Sequence, residues 1–167
     1  MRRITIFFSI LMLLLLEGSL TFATDTHTTG HSSVDGTEIR YESDSWYSSN
    51  RDAAITNWNS LNPIDILPDT IWSITDVTIW DRYDPDVDWA GIFSWISVPD
   101  GILINNYWLD QYSSDQRTDV FAHELGHALG LGDHESSTYN QTLMYFEVNG
   151  ITTPQSHDIA DYNSLWN

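Results

Sequence analysis

Two histidines four residues apart, followed by a turn punctuated with glycines, constrain this chain more than any other feature. Residues 123–133 read His-Glu-Leu-Gly-His-Ala-Leu-Gly-Leu-Gly-Asp. Ten residues earlier Ser113 can cap free backbone N–H groups, and Gln116 completes a capping box, so a helix starts there. It runs to about Leu129 and stops at Gly130, a residue suited to a left-handed terminus. Phe121, Leu125, Ala128 and Leu129 fall on one side and anchor the helix in a core. Gly126 lets something pack closely. Gly130 and Gly132 let the chain turn back on itself.

One helical turn is about 3.6 residues, so His123 and His127 project from the same face. Two imidazole nitrogens there suit one zinc ion, which prefers bonds of ~2.0–2.1 Å. Glu124 lies beside the first ligand and is the expected general base, taking a proton from zinc-activated water and passing it to a leaving amine. A catalytic zinc keeps three protein ligands and one open position. The turn brings residue 133 back towards the metal, and Asp133 fills the third role by spacing.

Elsewhere the chain reads as short elements. Residues 37–41 form a first strand. Ala54, Ile55, Trp58 and Leu61 share one face of a helix over 51–61, ended by Asn62-Pro63. Residues 71–80 read as a strand. Residues 91–98 and 101–105 read as two more, joined at Pro99-Asp100-Gly101. A last helix covers 154–166, with Ile159, Tyr162, Leu165 and Trp166 on its apolar face. The expected class is α+β, with a small mixed sheet packed against the 113–129 helix and the C-terminal helix.

Of the 167 residues, 1–23 read as a secretory signal peptide: Arg2 and Arg3, an apolar run from Ile4 to Leu16, then Thr21-Phe22-Ala23. That run is shorter than the ~20 residues a bilayer-spanning helix needs. Residues 24–36, rich in Thr, Ser, Gly and His, read as a flexible leader in which His27 and His31 are solvated. Residues 37–167 form the single remaining domain. The chain has no cysteine, so its fold relies on packing and metal ions. It has no lysine, and removing Arg2, Arg3 and Glu17 takes the net charge from −18 to −19. Such a surface disfavours nucleic acid and anionic membranes as partners. The expected product is a secreted, extracellular monomer. Asp81, Asp84, Asp86 and Asp88 offer carboxylates for Ca2+, but their spacing is not that of an EF-hand, and a solvated acidic loop is preferred.

The stretch His123–Asp133 resembles the metzincin zinc peptidases, whose pattern is His-Glu-x-x-His-x-x-Gly-x-x-His/Asp followed by a Met-turn. The matrixin-like branch is the nearest. Leu143-Met144-Tyr145 looks like the Met-turn, with Met144 packing beneath the ligands. Ser156 to Trp166 looks like the matrixin C-terminal helix, and weaker upstream matches extend the resemblance over roughly 37–167. Matrixins usually carry His as third ligand. An Asp followed by His, as in Asp133-His134, is similar to snapalysin-type members, and a one-residue insertion would instead make His134 the ligand. With no cysteine, matrixin cysteine-switch inhibition has no counterpart. The resemblance implies a zinc metalloendopeptidase (peptidase M10-like) with protein or peptide substrates. The alternative is a secreted zinc-binding interaction module without activity.

Overall fold

The structure is a computed structural model that describes residues 25–167; the signal-peptide reading of 1–23 lies outside the described residues. Five strands form one mixed sheet: β1 (Glu38–Ser43), β2 (Asp65–Pro68), β3 (Val77–Arg82), β4 (Gly91–Ser94) and β5 (Asp100–Asn105). Their order across the sheet is β2-β1-β3-β5-β4. All neighbouring pairs are parallel except β4 with β5, which run antiparallel with Ile92 opposite Leu103. Four helices accompany the sheet: α1 (Ser48–Asn59), the single turn α2 (Asn106–Leu109), α3 (Ser114–Ala128) and α4 (Ser156–Trp166). The domain is α+β, as the pattern of elements implies.

Period-two alternation on β3 buries Val77 and Ile79 and leaves Trp80 partly exposed. On β1 Ile39 is buried, and on β5 Ile102 and Ile104 are. These side chains join Ala54, Ile55 and Trp58 of α1 and Phe121, Ala122 and Leu125 of α3 in one core. Helices α1 and α3 lie against each other. Polar bonds fix their register: the Trp58 indole N–H donates to Ala122 O at 2.8 Å, and the Asn50 amide to Thr118 Oγ1 at 2.9 Å. Buried donors seldom stay unpaired, so such bonds are part of the packing.

The start of α3 is the expected capping box, with Ser113 Oγ accepting from Gln116 N and Gln116 Oε1 accepting from Ser113 N. Its end is Gly130 at φ +97°, with Leu131 N–H reaching back to Gly126 O at 3.0 Å. This closure satisfies a terminal carbonyl and reverses the chain. The last turn of α4 then meets the residues that end α3. Tyr162 is buried, stacks on Trp58, and accepts from Ile64 N; Trp166 donates to Leu129 O.

Three expectations change. Residues 71–76 are irregular, with a turn at 71–72, and the strand begins at Val77. The expected 91–98 strand ends at Ser94. The leader is docked: Thr29 N–H donates to Gly130 O, Ser33 N–H to Ala128 O, and Gly132 N–H to His27 O. His31 pairs with Asp100 at 2.9 Å. Serine, threonine and histidine are polar enough for a tail, yet here they meet the free carbonyls and amides at the end of α3.

Candidate metal centre

The residues of α3 and the turn after it converge on one point. His123 Nε2 lies 3.0 Å from Asp133 Oδ1, and His127 Nε2 lies 3.5 Å from the same oxygen. The three donor atoms fall within 4.8 Å of one another. The remaining ring nitrogens are already committed. His123 Nδ1 donates to Leu143 O at 3.2 Å, and His127 Nδ1 to Leu131 O at 2.9 Å. Carbonyls only accept, so each ring carries a proton on Nδ1 and presents Nε2 to the cluster. This donor set fits a zinc ion with three protein ligands.

The electrostatics suit a cation. Burial pulls the His123 ring down, but its bond to Asp133 and the charges of Glu124 and Asp133 outweigh that and raise it to about 9. Asp133 is held well below the usual carboxylate range by its bonds to His123 and His127. Glu124 is buried and sits next to the cluster; burial raises its pKa against the opposing pull of His123 and His127. A carboxyl so raised holds a proton more readily than an exposed glutamate, which suits a group that must first take one and then deliver it.

A cleft of about 870 Å3 opens over these residues. One wall is β4 and the residues that flank it, including Gly91 and Phe93 within the strand and Trp95 just after it; Tyr145 to Val148 also line it. Strand β4 is the sheet edge on this side, whereas β5, which contains residues 101–105, lies between β3 and β4. Residues 101–105 are therefore an inner strand, and the edge beside the cleft is 91–94. A Cβ on Gly91 would stand 2.7 Å from Glu124 Oε1, so the edge backbone runs directly beside the expected base.

Met144 is fully buried under α3. A Cβ on Gly126 would overlap Met144 Sδ, so the close neighbour of that glycine is the Met144 side chain. The turn itself is held by Asp158 of α4, which accepts from Leu143 N at 2.9 Å, Met144 N at 3.0 Å and Gln155 N at 2.7 Å. Asp119, one turn before His123, accepts from Asn149 N and Gly150 N. Burial pushes its carboxyl up to about 6. Neither aspartate was singled out by the sequence, because a buried carboxylate that ties loops looks like any surface acid until its amide partners are known.

His134, the alternative third ligand, is not at this cluster. It is fully buried, with Nε2 2.9 Å from Asp161 Oδ2 and Nδ1 2.7 Å from Thr142 Oγ1. The chain is locally extended here, with His134 bridging Tyr145, so residues 133 and 134 point to opposite sides. Asp81, Asp84, Asp86 and Asp88 do not gather: among the described residues, the clusters with metal-ligating geometry are His123/His127/Asp133 and a second one at His134. Asp84 is instead paired with Arg82 at 2.7 Å. Among the described residues no helix is long and apolar enough to cross a membrane.

The fold and site define an α+β domain with three side-chain donors, placed as a metal ion would need them, at the floor of a cleft. No protein-family model matches the chain, and no curated protein matches it.

Proposed function

We propose that the chain is a secreted zinc metalloendopeptidase of the metzincin type, matrixin-like, with a snapalysin-like aspartate as third ligand. The observation that carries this reading is the convergence of His123 Nε2, His127 Nε2 and Asp133 Oδ1 beside buried Glu124 at the base of an open cleft. His123, His127 and Asp133 would hold the zinc. When bound, zinc supplies Lewis acidity to the scissile carbonyl and the attacking water.

The chain's own residues do the rest. Glu124 takes a proton from water as its oxygen attacks the carbonyl carbon, then gives that proton to the amine nitrogen as the C–N bond breaks. The carbonyls of Leu143 and Leu131 hold the two imidazoles in the tautomer the site needs. Met144 fills the space beneath α3 that Gly126 leaves, which sets the height of the helix over the turn. An extended substrate aligns along the β4 edge, pairing its backbone with the free side of residues 91–94 and placing one carbonyl near Glu124.

The test is chelator-sensitive hydrolysis of a denatured protein substrate by the purified chain, with Glu124→Ala beside it. Activity is expected in the parent and lost in the variant. Equal activity in both, or none in the zinc-loaded parent, sinks the reading.

A further inference from the structure

On the far side of the turn from the cleft, three histidines and one aspartate from three distant segments meet. His27 comes from the leader, His134 from the turn after α3, and His157 and Asp161 from α4. The last two are four residues apart and so share one helical face, as His123 and His127 do on α3. One donor atom from each of the four falls within 4.8 Å of all the others. His27 Nδ1 lies 3.2 Å from His157 Nε2, and His134 Nε2 lies 2.9 Å from Asp161 Oδ2. That same oxygen is 3.7 Å from both His27 Nδ1 and His157 Nε2. Four ligands on a tetrahedral zinc with ~2.0–2.1 Å bonds stand about 3.3 Å from one another, close to these spacings.

The bonding around the cluster points the same way. Thr142 Oγ1 donates its proton to Tyr139 O at 2.7 Å, so it accepts from His134 Nδ1. In the neutral ring the His134 Nε2 lone pair then faces the lone pairs of Asp161 Oδ2, an arrangement of two acceptors that a cation between them resolves. The other oxygen, Asp161 Oδ1, is buried with no hydrogen-bond partner in the protein. His134 and Asp161 are wholly shielded, and the Tyr139 ring stacks on His157 with centroids 4.4 Å apart.

We propose that His27, His134, His157 and Asp161 form a second zinc site, a structural one, that ties the leader and α4 to the turn carrying Asp133. Four protein donors complete a tetrahedron and leave no position for substrate, which is the mark of a structural zinc. The site replaces the cross-links that this cysteine-free chain lacks. Its position also explains why a polar leader docks on the end of α3. The proposal stands whether or not the cleft is a peptidase site.

The experiment counts zinc in the purified full chain by elemental mass spectrometry after excess zinc is dialysed away. Two equivalents are expected in the parent. One is expected in His27→Ala, in His157→Ala, and in the double variant His123→Ala/His127→Ala. Cobalt loaded into that double variant should give the visible absorption of a tetrahedral N3O centre, lost when His157→Ala is added. If His157→Ala does not fold, His27→Ala and the parent count still decide, because His27 lies on a surface segment. A parent zinc content that neither His27→Ala nor His157→Ala lowers overturns the proposal and leaves a hydrogen-bonded His–Asp network.

Discussion

The two histidine clusters lie back to back, separated by one peptide bond. Asp133 faces the cleft with nearly half its side chain exposed (46%), while His134 next to it is completely enclosed. The first cluster has three donors and an open side lined by the β4 edge; the second has four donors and a lid formed by Tyr139. Catalysis by a metal needs a vacant coordination position, and stabilisation by a metal does not. The same residue types in the same fold thus suit two tasks, and the difference lies in the count of donors and in access. The adjacency also suggests a coupling: fixing His134 in the interior fixes where Asp133 emerges.

The largest effect that tests this contrast is at Glu124. Glu124→Gln keeps the volume and removes the base, so hydrolysis should fall by about 10^2–10^4-fold while the zinc content stays that of the parent. A variant with full activity, or one that has lost zinc, would break the assignment of the open cluster to chemistry. Next is Asp133→Ala, which removes the third donor from the cleft. Activity and one equivalent of zinc should go together, while the tetrahedral cobalt spectrum of the closed cluster persists. If the spectrum vanished too, the two clusters would not be separable.

Smaller effects probe the scaffold between the clusters. Asp158 accepts three backbone N–H groups on two oxygens, Leu143 and Gln155 on Oδ2 and Met144 on Oδ1. In Asp158→Asn one position becomes an NH2 that faces an amide donor, which should cost about 2–3 kcal/mol in chemical denaturation. Gly126→Ala sets two effects against each other. Alanine gains up to ~1 kcal/mol of helix propensity, but its Cβ overlaps Met144 Sδ and presses on Trp58. Overpacking of a rigid core costs about 1–3 kcal/mol, and the Trp58 ring is pinned by its bond to Ala122 O, so a net loss of ~1 kcal/mol is expected. Adding Met144→Ala should recover part of it; strictly additive losses would show that the methionine is not what the glycine accommodates.

What the sequence made legible follows the same divide. Helix α3, its capping box, the left-handed Gly130 and the three donors of the open cluster all lie within 21 consecutive residues, where spacing alone fixes geometry. The closed cluster draws on residues 27, 134, 157 and 161, and only tertiary folding brings them together. His27 taken singly reads as a solvated leader residue, and His134 reads as a competitor of Asp133 for one metal. The sheet shows a milder version. Residues 101–105 are buried along almost their whole length, as the inner strand of a sheet is, and their apolar run was a sign of that. Strand β2, four residues long, and the single turn α2 are too short to show a period.

A last predicted effect, read as a pH dependence, separates the two aspartates that tie the loop beneath the cleft. Unlike Asp158, Asp119 takes both its amide bonds, from Asn149 and Gly150, on Oδ2 alone. Asparagine can offer its one carbonyl oxygen to both, so Asp119→Asn keeps the tether that Asp158→Asn loses. It also removes a buried charge. The Asp119 carboxyl is raised by burial to about 6, so the folded state binds its proton more tightly than the unfolded chain does. The favourable contribution is therefore complete at low pH. It is lost as pH rises from the unfolded value near 4 through the folded value. Between pH 5 and pH 7.5 the parent should lose about 1–1.5 kcal/mol on this account, and Asp119→Asn should not. Effects common to both proteins, protonation of the histidine clusters among them, cancel in the difference. Denaturant midpoints at the two pH values provide the measurement. A parent-to-variant difference that does not move with pH would mean that Asp119 is charged in the fold at little cost, and that the cleft side of α3 is wetter than its burial implies.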